Sequence, residues 1–243
     1  MYGQNAKGVD PKPGSLSHRL VLAHMVNLDN DLDLPLLSST QTTVAHNPSS
    51  NLKLASGVAP VPQMLSEPYN INVALGTDGA PCANHYDLFQ EIHLAGILHK
   101  GVHHNAALIS AESALEMATI NGAKAMGLES DIGSLEVGKK ADLVVLAPYR
   151  GGLAAAPWDP ENGLGATPVT IVVHSCTGRD VDMTVVDGKV LVENGVLVQG
   201  GRAKEMEIVH FAQQAVKGIL QRCNEARNGT EIRGKLAPRW KYV

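Results

Sequence analysis

Three short apolar segments in the first third of the chain each lead into a histidine or an aspartate. They are residues 19–23 before His24, 42–45 before His46 and 71–77 before Asp78. Alternation of such strand-like runs with helical stretches is typical of a parallel sheet covered by helices. Because the carboxyl ends of parallel strands open at one edge of a sheet, we expect these three side chains where such folds build active sites.

The remainder of the chain up to residue 128 predicts helices. A short helix is expected at 30–38, and apolar residues at helical spacing predict another at 87–98. Ser113 and Glu116 have the spacing of a capping box that opens a further helix, and Gly127 is a natural end for it. Residues 17–128 are therefore predicted to be of the α/β class.

From Gly133 onward the pattern changes to antiparallel β-structure. Asp187-Gly188 is a strong two-residue hairpin turn, and Asn194-Gly195 is a second one. A Gly-, Ala- and Pro-rich loop is expected at 148–168, and a closing helix at 203–222. The predicted strands are 141–146, 169–173, 183–186 and 189–192.

Composition excludes several classes of function. The net charge is −4 and Lys and Arg residues are scattered, so nucleic acid is not expected as a partner. Cys82, Cys176 and Cys223 lie far apart without the spacing of a zinc knuckle or a disulfide framework. No apolar stretch approaches the roughly 20 residues of a membrane span, and the polar start does not match a secretion signal. We therefore expect a cytoplasmic protein without a membrane partner.

A single histidine at the end of an apolar run is more often a core residue than a ligand. Three such strand ends favour a site, because a buried carboxylate such as Asp78 needs a cation or several hydrogen-bond donors. Imidazole and carboxylate groups together suit zinc or a related divalent ion. Such a metal lowers the pKa of its bound water and produces a nucleophile for an aromatic carbon that bears an amino group.

The motifs also resemble a known superfamily. The segments 22–24 (LAH), 44–54 (VAHNPSSNLKL) and 75–80 (LGTDGA) closely resemble the amidohydrolase superfamily, in particular its branch of chlorohydrolases and adenosine-, guanine- and oxoguanine-type deaminases. Segment 132–143 resembles the stretch by which these enzymes re-enter their β-sandwich domain. The resemblance covers about residues 20–195.

This resemblance implies an α/β fold made of the last strands and helices of a TIM barrel, followed by part of a small β-sandwich. The implied division is a leading loop at 1–16, a partial barrel at 17–128, the sandwich portion at 129–202, and a C-terminal helix and tail at 203–243. The resemblance further implies one zinc or iron ion per complete active site, a small heterocyclic substrate and a homo-oligomeric assembly.

By the same resemblance, Asp78 is the metal ligand that transfers a proton from the attacking water, and His24 orients that water or polarises the substrate. His46 and Asn51 match positions near the site, with a structural or a catalytic role. The other histidines in helices and loops, including His99, are expected at the surface.

The family's H-x-H pair and its H-x-x-E motif are both absent from this sequence. One carboxylate and one supporting histidine are fewer ligands than the three that a catalytic zinc takes from protein. We therefore expect a truncated metal-dependent hydrolase of non-peptide carbon–nitrogen bonds, which deaminates a purine, pyrimidine or triazine ring only when its site is complete. The alternative is a non-catalytic homologue that acts as a structural or regulatory partner of an intact amidohydrolase.

Overall fold

The computed structural model describes residues 16–147, 158–159 and 164–229. Its first sheet consists of three parallel strands that lie side by side in chain order: β1 (Val21–Ala23), β2 (Thr43–His46) and β3 (Val73–Leu75). Ala23 lies opposite Ala45, and His46 lies opposite Leu75. The predicted parallel arrangement of the three strands is confirmed, and their carboxyl ends open at the same edge.

Short helices connect these strands. Helix α1 (Asn30–Ser39) follows β1, as predicted, and begins where the side chain of Asp29 accepts a hydrogen bond from the Asp31 amide. Helices α2 (Pro48–Lys53) and α3 (Val61–Leu65) follow β2. A proline near the start of each helix removes an N–H group that would have no partner within the helix.

Four helices follow β3: α4 (Ala80–Ala83), α5 (Leu88–His103), α6 (Ala111–Ala118) and α7 (Ile120–Met126). Gly127 ends α7, as predicted, and it has a left-handed backbone conformation. The predicted cap at Ser113 is wrong, because Ser110 caps α6 and accepts a hydrogen bond from the Ser113 amide. The chain also turns at Thr119, which divides the expected single helix into two.

The predicted strand at 169–173 is also wrong, because the chain there forms helix α8 (Pro168–Ser175). Thr167 accepts a hydrogen bond from the Thr170 amide, and Pro168 occupies the first turn. These helix-start signals outweigh the strand preference of the β-branched run. A Cβ atom at Gly96 of α5 would lie 3.1 Å from Val173, so α8 packs closely against α5.

The second sheet is antiparallel with the strand order β4-β7-β8-β9, and two further short strands, β5 and β6, pair with each other. Both predicted turns are confirmed, with positive φ angles at Asp187, Gly188, Asn194 and Gly195. The strands are β4 (Leu143–Leu146), β5 (Trp158–Asp159), β6 (Leu164–Gly165), β7 (Val181–Val186), β8 (Lys189–Glu193) and β9 (Val196–Leu197).

The closing helix α9 (Gly201–Gly229) is longer than predicted. Within the described ranges, none of the helices combines the length and apolar character that a membrane crossing requires. Most of the predicted leading loop and of the predicted 148–168 loop lies outside the described residues. The domain boundaries and the cytoplasmic location remain predictions.

The main core lies between the parallel sheet and its helices. Val44 and Val73 of the sheet are fully buried there, together with Ala95 of α5 and Met117 of α6. Beside the sheet, the side chain of Asn121 donates a hydrogen bond to the Val73 carbonyl. Helix α7 thus provides a hydrogen-bond partner for the start of β3.

Candidate active site

Asp78 lies just beyond the end of β3, with a backbone φ of 60°. Its Oδ2 atom accepts a hydrogen bond from the hydroxyl of Ser50 at 2.7 Å, and its Oδ1 atom accepts one from the Gly79 amide at 2.6 Å. The Ser50 bond makes the largest contribution to lowering the pKa of Asp78, followed by the Gly79 amide. The carboxylate is therefore held ionised and in one orientation.

His24 follows β1 directly and has a φ of 71°. Its Nδ1 atom lies 2.8 Å from Oδ1 of Asn51. An amide oxygen can only accept a hydrogen bond, so Nδ1 carries the proton in the neutral ring and Nε2 keeps a free lone pair. Nε2 lies 3.7 Å from Oδ2 of Asp78, too far for a direct hydrogen bond.

Both members of this pair remain accessible. The His24 side chain is 31% exposed and the Asp78 side chain is 28% exposed. The pair thus presents a lone pair and a carboxylate oxygen to the same open edge of the sheet. A small molecule that bridges them, such as water, could donate one hydrogen bond to Nε2 and another to the carboxylate.

Helix α2 carries the two residues that orient this pair. Ser50 and Asn51 are consecutive and almost completely buried, and they contact Asp78 and His24 respectively. The sequence predicted Asn51 near the site but did not single out Ser50, although Ser50 belongs to the same motif. Lys53 at the end of α2 donates hydrogen bonds to the Pro81 carbonyl and to Asn84, which joins α2 to the segment after Asp78.

Close backbone packing brings the ends of β2 and β3 together. A Cβ atom at Gly76 would lie 2.5 Å from Oδ1 of Asn47. The side chain of Asn47 also donates a hydrogen bond to the Ala45 carbonyl, so it cannot easily move away. A residue with a Cβ atom at position 76 would therefore require Asn47 or the loop that leads to Asp78 to shift.

His46 does not join the Asp78–His24 pair at the open edge. It is 0% exposed, and its ring lies 5.6 Å from that of His99 on α5. Burial, together with smaller contributions from the neighbouring His99 and His24, lowers the pKa of His46 to about 3. Neither ring nitrogen of His46 has a hydrogen-bond partner among the described residues. The geometry favours the structural alternative for His46.

The expectation that His99 lies at the surface is wrong, because His99 is 0% exposed. Burial lowers its pKa to about 4, with a smaller contribution from His103. The spacing of the apolar face of α5 could have revealed this. His99 follows Ile92 and Ala95 at helical intervals, and both of those residues are buried.

The donor set fits only part of a metal site. The Asp78 carboxylate is a suitable ligand for zinc, and the imidazole of His24 is also of a chemical type that zinc binds. Across residues 16–147, 158–159 and 164–229, however, no group of three or more His, Cys, Asp or Glu residues is placed to hold a metal ion. The described residues therefore bring together fewer donors than the three protein ligands that a catalytic zinc takes.

The family model described as "Amidohydrolase family" matches residues 11–191. The chain belongs to this amidohydrolase family. A 5-methylthioadenosine/S-adenosylhomocysteine deaminase from Acetivibrio thermocellus is 42% identical over 193 residues, which are 79% of this chain and 42% of that protein. A 5′-deoxyadenosine deaminase from Methanosarcina acetivorans is 42% identical over 224 residues, which are 92% of this chain and 48% of that protein.

The fold agrees with this membership. The crystal structure of an adenosine deaminase from Xanthomonas campestris with bound zinc matches with a TM-score of 0.74 and 29% identity. The match covers 84% of this chain and 44% of the deaminase. The predicted resemblance to the deaminase branch is confirmed. This amidohydrolase chain spans less than half the length of each of the three proteins.

Proposed function

We propose that this chain provides the Asp78–His24 part of an active site that hydrolytically deaminates an adenine nucleoside altered at its 5′ position. The observation that carries the proposal is the 3.7 Å gap between Nε2 of His24 and Oδ2 of Asp78 at an accessible edge. The substrate class is supported by the two deaminase relatives, which are named for 5-methylthioadenosine or S-adenosylhomocysteine and for 5′-deoxyadenosine.

Hydrolytic deamination adds the oxygen of water to the ring carbon that bears the amino group. One O–H bond of the water and the C–N bond break, a C–O bond forms, and ammonia leaves. Asp78 is suited to accept the water proton and return it to the leaving nitrogen, because its hydrogen bonds favour the ionised form. His24 is suited to orient the water, because Nε2 offers a lone pair when Nδ1 donates to Asn51.

The proposed active site also requires a divalent metal ion. Asp78 would serve as one ligand of zinc or iron, and such an ion would lower the pKa of the water that it binds. Further ligands would have to complete the site, because the described residues bring together fewer than the three that a catalytic zinc takes from protein. In this proposal the three parallel strands are part of a TIM barrel and the antiparallel sheet is part of a β-sandwich, since the zinc-bound adenosine deaminase matches 84% of the chain.

A chimera tests the proposal. The chain would replace its matching segment in the Methanosarcina acetivorans deaminase, with which it shares 42% identity over 224 residues. We expect the chimera to release ammonia from 5′-deoxyadenosine. Asp78→Asn should lower kcat by at least about a hundredfold, because the amide can neither accept the water proton nor return it. A folded chimera that retains zinc but releases no ammonia would contradict the proposal.

A further inference from the structure

A buried carboxylate outside the Asp78–His24 pair contacts the start of α2. Glu91 lies on α5 and is 0% exposed. Its Oε2 atom accepts a hydrogen bond from the backbone amide of Ser49 at 3.1 Å. Ser49 lies in the first turn of α2, where backbone N–H groups have no partner within the helix. Glu91 therefore supplies an acceptor that α2 itself cannot provide.

His85 joins the same contact from the segment between α4 and α5. Its Nδ1 atom accepts a hydrogen bond from the Asp87 amide at 3.2 Å, so Nε2 carries the proton in the neutral ring. Nε2 lies 3.2 Å from Oγ of Ser49 and 3.6 Å from Oε1 of Glu91. His85 thus links the chain segment after Asp78 to both α2 and α5.

This arrangement does not form a nucleophilic triad. In a Ser-His-acid triad the serine and the carboxylate lie at opposite nitrogens of the imidazole. Here Ser49 and Glu91 both face Nε2, while Nδ1 is occupied by a backbone amide. The geometry is that of a structural contact between three segments.

We propose that Glu91 is a positioning residue that holds α2 at Ser49 and thereby keeps Ser50 on Asp78 and Asn51 on His24. The three residues 49–51 are consecutive, so a displacement at Ser49 is passed directly to the next two. The Ser50–Asp78 and Asn51–His24 bonds are 2.7 and 2.8 Å long. A movement of about 1 Å would break both bonds. The importance of this positioning for catalysis rests on the proposed function of Asp78 and His24.

The test uses the chain as it is and needs no substrate. Ring ¹⁵N NMR of His24 reports whether Nδ1 holds the proton, which depends on the bond to Asn51. We expect Glu91→Leu to change the His24 spectrum from one tautomer to a mixture. We expect Glu91→Gln to restore the parent spectrum, because the amide oxygen can still accept from Ser49. Glu112→Leu, at an exposed position in the first turn of α6, is the matched control and should leave the His24 spectrum unchanged.

Two results would overturn this role. One is a Glu91→Leu variant that loses thermal stability but keeps the parent His24 spectrum, since that describes a purely structural residue. The other is a Glu91→Gln variant that changes the spectrum as much as Glu91→Leu does. If Glu91→Leu does not fold, Glu91→Asp takes its place, because the shorter side chain withdraws the carboxylate from the Ser49 amide, and an unchanged His24 spectrum would then reject the proposal. An inactive chimera would contradict the proposed deamination but would leave the positioning role of Glu91 untouched, because the NMR test does not depend on activity.

Discussion

Nε2 of His24 lies 3.7 Å from Oδ2 of Asp78, although strand β2 separates the two strands that carry them. Each residue has a left-handed backbone conformation, with φ angles of 71° and 60°. Histidine and aspartate adopt this conformation more readily than most non-glycine residues. The sharp turns at the two strand ends bring the side chains together over the end of β2, where Ser50 and Asn51 orient them.

Ser50→Ala should raise the pKa of Asp78, because the Ser50 hydroxyl makes the largest contribution to lowering it. A carboxyl group whose pKa is lower in the folded state stabilises the fold above the unfolded value of 3.8, and this contribution is lost as pH falls through the folded pKa. The variant should therefore lose about 1 to 2 kcal/mol at neutral pH and show less additional loss in acid.

Carboxyl ¹³C NMR of Asp78 and urea unfolding measure these two effects. Ser130→Ala is a suitable control, because Ser130 contacts Asp131 from an exposed position. It should change the free energy of unfolding by less than about 0.5 kcal/mol. A Ser50→Ala variant with an unchanged Asp78 titration would show that the hydroxyl does not hold the carboxylate.

Asn51→Leu should leave His24 without the acceptor that orients its ring. In the chimera we expect kcat for 5′-deoxyadenosine to fall by about ten- to a hundredfold, with little change in KM. Steady-state kinetics with the purified variant measure both constants. An increase in KM with unchanged kcat would instead assign Asn51 to substrate binding.

The buried histidines His46 and His99 should make the fold sensitive to acid. Their pKa values are lowered from 6.5 to about 3 and about 4, so both are neutral when folded and bind protons more readily when unfolded. The stabilisation that these two neutral histidines allow is fully present above pH 6.5, and the free energy of unfolding decreases as the pH falls towards their pKa values in the folded state. At about pH 5 each histidine should lower the free energy of unfolding by roughly 2 kcal/mol relative to neutral pH.

Urea unfolding between about pH 5 and pH 7 measures this dependence. His99→Phe should reduce its slope, because the variant has one buried titrating group fewer. His210→Gln on α9 is the control, since His210 is exposed, and should preserve the slope. A slope that is the same in all three proteins would place the acid sensitivity elsewhere.

Gly76→Ala should destabilise the fold by about 1 to 3 kcal/mol, because the new methyl group would lie 2.5 Å from Asn47. Gly101→Ala on α5 is the matched control, because the added methyl group would meet no atom within 4 Å apart from its chain neighbours and the backbone of its own helix. That substitution should stabilise the helix by about 0.5 to 1 kcal/mol. Thermal unfolding of the two variants should shift in opposite directions, and a neutral Gly76→Ala would show that Asn47 can move aside.

The features that the sequence predicted correctly depend on neighbours along the chain. The three strands, the short helix after β1 and the turn at Asp187-Gly188 are specified by apolar runs and by residues that tolerate positive φ. Local patterns also misled the prediction at residues 169–173, where a β-branched run lies within a helix that Thr167 and Pro168 begin. The strand propensity of β-branched residues has little influence where a capped helix packs against another helix.

By itself the sequence determined that His24, His46 and Asp78 follow the ends of strands, because the strand pattern and its final residue are adjacent in the chain. Only the tertiary structure decided that His24 and Asp78 meet at the open edge while His46 is buried beside His99. It also decided that Ser50 orients Asp78 and that Glu91 contacts Ser49. These contacts join separate segments whose approach is set by the packing of helices on the sheet, which no local sequence pattern encodes.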